Sequence, residues 1–111
     1  MPMSPEQFRV ALTRAALKDL KSYKGDAAAV KARLDVLKSD PLAGHALAGS
    51  LAGVRSLSFS LRGSGQHRAL YVFRELTGRS VIFLIGPHEN IYDRGERRFQ
   101  LLDLEFEDLE P

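Results

Sequence analysis

The stretch from Val54 to Ile85 limits the possible folds more than any other. It holds three apolar runs of strand length separated by two short glycine turns. In Val54–Leu61, Leu57, Phe59 and Leu61 alternate with Ser56, Ser58 and Ser60. That is the period of two of a strand, with the three serines sharing one face. Gly63-Ser64-Gly65 supplies a hairpin turn, and Arg68–Glu75 follows with Leu70, Tyr71, Val72 and Phe73. Thr77-Gly78 turns the chain again into Arg79–Ile85, whose run Val81–Ile85 is wholly apolar and suits a buried central strand. Gly86-Pro87 ends it. Such short connections join only antiparallel neighbours, so the segment predicts a three-stranded meander.

Upstream, Phe8–Leu12 alternates as a short strand and Thr13 offers a helix N-cap. A helix is predicted over Ala15–Tyr23, with Ala16, Leu17, Leu20 and Tyr23 on one face. Gly25 stops it, and Asp26 starts a second helix carrying Val30, Leu34 and Leu37. The pair reads as an antiparallel hairpin closed by Asp40-Pro41, since the residue before proline disfavours helix. Leu42–Gly53 reads as a linker with a turn or two. Beyond Pro87, residues 88–100 fit a helix that Gly95 weakens, and residues 99–109 fit either a strand or a helix face. The expected class is α+β. An N-terminal strand and helical hairpin pack on one face of an antiparallel sheet, and a C-terminal helix or tail follows. The other sheet face is left to solvent or a ligand.

The chain has 111 residues, enough for one domain with a modest core. It has no cysteine, which excludes disulfides and thiolate chemistry and fits a cytoplasmic protein. It shows no apolar run of membrane length and no secretory signal pattern. Three scattered histidines without ligand spacing predict no metal, and no cofactor is implied. Net charge is only +2, yet Phe99–Pro111 holds five of the 14 acids and no base. The remainder sets 16 bases against nine acids, which divides the chain into a basic domain, 1–98, and an acidic tail, 99–111. The tail is either a solvated end or a segment that folds back on the basic face. From Pro41 to Arg98 every cation is arginine, whose planar fork grips phosphate with two hydrogen bonds. This composition fits a polyanionic partner or an ordinary arginine-rich surface.

Three stretches, in order, resemble the RelE/ParE superfamily of type II toxins. They are Leu51-Ala52-Gly53-Val54-Arg55-Ser56-Leu57, His67-Arg68-Ala69-Leu70-Tyr71 and Leu84-Ile85-Gly86-Pro87-His88-Glu89-Asn90-Ile91-Tyr92. Together with the N-terminal strand and hairpin, the similarity covers about residues 7 to 98. It implies a RelE-like fold and a toxin neutralised by a cognate antitoxin protein. RelE-type members cut messenger RNA on the ribosome without a metal. ParE-type members inhibit DNA gyrase instead. A third outcome is a non-toxic member that acts through complex formation with its antitoxin.

Metal-free RNA cleavage needs a base for the 2′-hydroxyl, an acid for the leaving oxygen and cations for the phosphorane. The resemblance places Arg68 at the scissile phosphate, with His88 and Tyr92 completing the expected catalytic set. Arg55, Arg62, His67 and Arg94 are expected to bind RNA or its phosphates. Histidine as a residue type can serve as base or acid near neutral pH, and a helical turn would bring Tyr92 to the side of His88. Each residue also has a structural alternative. Arg68 could bridge sheet and helix, His88 could cap the last helix, and Tyr92 could anchor it in the core. Where mRNA-cutting relatives carry lysines on the first meander strand, this chain has Ser58 and Ser60.

Overall fold

The computed structural model describes residues 8–109, with side chains described through residue 102. Its strands are β1 (Arg9–Leu12), β2 (His45–Ala46), β3 (Arg55–Leu61), β4 (Gly65–Arg74) and β5 (Arg79–Pro87). Its helices are α1 (Arg14–Ser22), α2 (Ala27–Leu34) and α3 (Ile91–Leu109). Single 3-10 turns lie at Lys24–Asp26, Asp35–Lys38 and Gly49–Leu51.

The meander is present as the glycine turns predict, with β3, β4 and β5 pairing antiparallel in sequence order. Two additions complete a five-stranded sheet of order β1-β5-β4-β3-β2. Strand β2 pairs with only Arg55 and Ser56 of β3. Strand β1 lies parallel to β5, with Arg9 opposite Arg79 and Leu12 opposite Ile82.

Thr13 caps α1 by accepting the Ala16 backbone N–H on its hydroxyl at 3.1 Å. Leu17 departs from its expected inward face and is 43% exposed. Asp26 makes no side-chain cap for α2, because the 3-10 turn ahead of it leads directly into the helix. From the hairpin, Ala16, Val30, Leu34 and Leu37 pack on Phe59, Leu61, Ala69, Tyr71, Ile82 and Ile85.

The opposite sheet face is not left open, contrary to expectation. Ile91 and Leu102 of α3 cover Leu70, Val81, Phe83 and Leu84, with Leu51 and Val54 at the margin. Gly95 makes this close approach possible. A Cβ at that position would stand 2.5 Å from Leu70 Cδ1. Helix α3 also runs through the boundary expected at residue 98. Phe99 stacks on Phe83 at 5.9 Å and Leu102 is fully buried, so both belong to the packed body. The strand alternative for the tail is replaced by helix as far as Leu109. The tail's acidic side chains lie outside the described residues.

A bulge in β5 explains why Val81–Ile85 does not alternate. Leu70 faces Leu84 while Tyr71 faces Ile82, which leaves Phe83 without a partner. Phe83 and Leu84 therefore both face α3, while Ile82 and Ile85 face the hairpin. Past Ile82 no strand among the described residues lies beside the outer edge of β5, and side chains occupy it instead. Asp19 of α1 accepts the Ile85 N–H at 3.0 Å. Arg98 of α3 binds Asp19 and donates to the Phe83 carbonyl at 3.0 Å. Edge groups of a sheet left bare invite pairing with another chain, and these two residues remove that opening.

Candidate functional site

At the far end of the sheet, side chains from β3, β4 and the loop after β5 meet on one surface. Ser58 and Arg68 are cross-strand partners, so their side chains rise on the same face. Arg68 donates from Nη1 to the Ser58 hydroxyl at 2.6 Å and from Nε to His88 Nδ1 at 3.2 Å. Its guanidinium carbon lies 5.9 Å from the centre of the Tyr92 ring, within cation–π range. The expected catalytic set of Arg68, His88 and Tyr92 is thus brought together.

The backbone fixes His88. Strand β5 runs two residues beyond Ile85 to Pro87, opposite His67, and the His88 N–H then donates to the Gln66 carbonyl at 3.0 Å. His88 does not lie in the helix, because Asn90 adopts a left-handed φ of 57° and α3 begins only at Ile91. Asparagine tolerates that conformation better than most side chains. His88 and Tyr92 therefore reach Arg68 from either side of this turn and not as neighbours on one helical face. An open groove lined by residues 88–93 runs beside them.

The hydrogen bonds define roles. Arginine can only donate, so His88 Nδ1 accepts with its lone pair and a neutral ring carries its proton on Nε2. Two of the five guanidinium donors of Arg68 are engaged, and those remaining on Nη1 and Nη2 can meet an oxyanion. Ser58 escaped recognition as a functional residue in the sequence. In the sequence it stands out only as a replacement for the relatives' lysines, and its register opposite Arg68 brings it to the cluster.

The expected phosphate ligands are dispersed. Arg94 belongs to the neighbourhood, since its Nη1 lies 2.9 Å from where a Cβ on Gly86 would be, and Gly86 pairs with Arg68. Arg62 is exposed in the β3–β4 turn. Arg55 lies outside the cluster. Its Nε and Nη2 bind the carbonyls of Gly44 at 3.1 Å and Leu42 at 3.3 Å. His67 is a correction. It is 5% exposed, stacks on Phe59 and uses both ring nitrogens, on the Tyr23 and Ser64 hydroxyls at 2.8 and 3.0 Å. It supports the hairpin and has no nitrogen left for RNA, because its position in β4 is one residue out of phase with Arg68.

Burial pushes the Tyr23 phenol above its ordinary range, and the Asp19 carboxylate adds to this while Arg94 opposes it. Burial likewise raises Tyr71, whose hydroxyl donates to the Pro41 carbonyl at 2.7 Å and accepts from the Gly44 N–H at 3.0 Å. Among the described residues no group of His, Asp and Glu could hold a metal ion. No described helix is long and apolar enough to cross a membrane.

Comparison with solved structures finds the same fold. A variant of the Escherichia coli toxin RelE in the free state superposes with a TM-score of 0.62 at 16% identity, over 81% of this chain and 93% of that one. The Mycobacterium tuberculosis toxin–antitoxin complex RelBE2 gives 0.59 at 26% identity, over 74% and 92%. The archaeal RelE–RelB complex from Pyrococcus horikoshii gives 0.50 at 17% identity, over 75% and 97%. No curated protein sequence matches the chain. The family model for the ParE-like toxin of type II bacterial toxin–antitoxin systems matches residues 9–95. The strand–hairpin–meander layout and this match over most of its length agree, and the chain belongs to the ParE-like toxins of the RelE/ParE superfamily.

Proposed function

We propose that this toxin is a ribosome-dependent, metal-independent mRNA endonuclease held in check by a cognate antitoxin. The observation that carries the reading is the convergence of Arg68, His88 and Tyr92 on one exposed sheet end. Arg68 meets the scissile phosphate with its free Nη donors and, in turning to it, releases His88 Nδ1. That lone pair takes the proton from the 2′-hydroxyl, and the 2′-oxygen attacks phosphorus. The bond to the 5′-oxygen breaks, leaving a 2′,3′-cyclic phosphate and a 5′-hydroxyl. Tyr92, half-buried beside Arg68, offers a ring to stack on a base and a hydroxyl to return a proton to the leaving oxygen. Solved relatives are toxin–antitoxin complexes, which supports an antitoxin as the partner here.

The ParE-like description of the matching family favours a second reading, inhibition of DNA gyrase. One experiment separates the two. The chain is induced without antitoxin in a bacterial host, with pulse-labelling of protein and DNA synthesis, beside His88→Ala. Early arrest of protein synthesis that His88→Ala relieves supports the nuclease. Early arrest of DNA synthesis that the substitution leaves intact supports gyrase. Arrest of neither points to a non-toxic member that acts through its antitoxin.

A further inference from the structure

Next to the Arg68 cluster, on the other side of Ser58, lies a cleft with no role in the scheme above. It is lined by Ala32, Arg33, Val36, Ala43, Leu57 and Ser58 and has a volume of about 240 Å³. It exists because β2 pairs with only Arg55 and Ser56, so the edge of β3 from Leu57 onward faces α2 and not another strand. Arg55 holds one wall in place. By binding the carbonyls of Leu42 and Gly44 it fixes Ala43 between them.

We propose that this cleft is a nucleotide subsite, taking the single-stranded RNA residue next to the phosphate held by Arg68. The proposal rests on the nuclease reading. Continuity comes from Ser58, which lines the cleft and bonds Arg68 Nη1 at 2.6 Å. The cleft is smaller than the roughly 300–1,000 Å³ typical of small-molecule pockets and leaves room for one flat group. Chemistry narrows the occupant. Val36 is 42% exposed although apolar, and with Leu57 and the two alanines it forms a surface on which a base can lie. Arg33 is the only charge in the lining, and it has no ion pair among the described residues. Among the described residues that line the cleft there is no carboxylate. Asp35 is paired with Lys38 at 3.5 Å, and Asp40 accepts the Leu42 N–H at 3.2 Å. A guanidinium beside an apolar floor suits a nucleotide, since the planar cation can stack on the base or bind its phosphate.

The test uses the full chain and two readouts. One is equilibrium binding of a short 2′-O-methyl single-stranded RNA, which cannot be cleaved. The other is single-turnover cleavage on mRNA-programmed ribosomes. Arg33→Ala and Val36→Asp are expected to weaken RNA binding about tenfold, in line with the loss of one stacked base. Arg33→Ala is also expected to reduce the slope of log affinity against log salt by about 0.7. Both should raise the half-saturating ribosome concentration and leave the saturated cleavage rate within about twofold. Both positions are exposed, and thermal unfolding checks that the variants are folded. Binding equal to wild type in both variants overturns the subsite even if the wild type cleaves. So does a defect confined to binding the antitoxin, which would give the cleft to that protein. A wild type that neither binds nor cleaves RNA overturns the nuclease reading itself, and the subsite with it.

Discussion

Asp19 and Arg98 join α1 to α3 across the unpaired edge of β5, although 79 residues separate them in sequence. Asp19 also holds the Ile85 N–H, so one carboxylate serves a half-buried cation and a sheet edge together. Asp19→Ala leaves the Ile85 N–H without its acceptor and Arg98 with the Phe83 carbonyl but no counter-charge. It should cost about 2–4 kcal/mol, read as a lower denaturant midpoint with an unchanged m-value. A loss under about 0.5 kcal/mol would mean that water replaces the carboxylate at this edge.

Gly95 is a mid-helix glycine that helix propensity alone would replace. An added methyl meets Leu70 Cδ1 at 2.5 Å, well inside contact distance. Gly95→Ala should therefore destabilise by about 1–3 kcal/mol, where propensity alone would stabilise by up to about 1 kcal/mol. Thermal unfolding gives the sign directly.

For the proposed cleavage, the fork of Arg68 matters as well as its charge. Arg68→Ala should slow single-turnover cleavage about 10²–10³-fold, and Arg68→Lys should recover little of that. Ser58→Ala should lose a smaller factor, about 3- to 10-fold, as expected for one hydrogen bond, while Ser58→Thr retains the rate. Wild-type cleavage by Arg68→Lys would show that a point charge suffices.

His67 separates structure from chemistry in the opposite sense. His67→Ala removes two hydroxyl contacts and a stacked ring from the hairpin interface. Stability should fall by about 2–4 kcal/mol, while the cleavage rate of the folded fraction stays at wild type. A specific loss of rate at full folding would return His67 to the site.

Tyr71 predicts an alkaline limit. Burial is the main cause of its raised pKa, with Asp40 adding to it and the Gly44 N–H and Arg55 opposing it. Its contribution to stability is complete below the unfolded value of 10.0 and declines as pH rises through the higher folded value. Stability measured by denaturant at stepwise pH should fall above about pH 10. Tyr71→Phe should be less stable at neutral pH by about 1–3 kcal/mol, since the Pro41 carbonyl and Gly44 N–H lose their partner. Its alkaline fall should be shallower but still present, because Tyr23 is raised in the same direction.

Local patterns in the sequence identify most elements, and long-range closures escape it. The alternation of Leu57, Phe59 and Leu61 with serines marks β3, and Thr13 marks the start of α1. Nothing local signals that β1 lies beside β5, since that pairing joins residues 70 apart. The bulge at Phe83 is invisible because an apolar run conceals which face each side chain takes. Residues 88–90 read as helix because only Asn90's left-handed backbone delays α3. In the site, Arg68, His88 and Tyr92 stand out by type and order. Ser58 gains meaning only from the strand register opposite it, and His67 loses its expected role through the same register.

The parallel pairing of β1 with β5 also governs when, during its synthesis, this chain can close its fold. On an elongating ribosome the first strand emerges long before residues 79–82, and it has no partner until they follow. The latch from Asp19 to Arg98 and the α3 cover of Leu70 and Phe83 wait longer still. Such a high-contact-order closure completes only when nearly the whole chain is free. The segments made first thus stay open until residues 79–102 have emerged to close the sheet edge and cover its face.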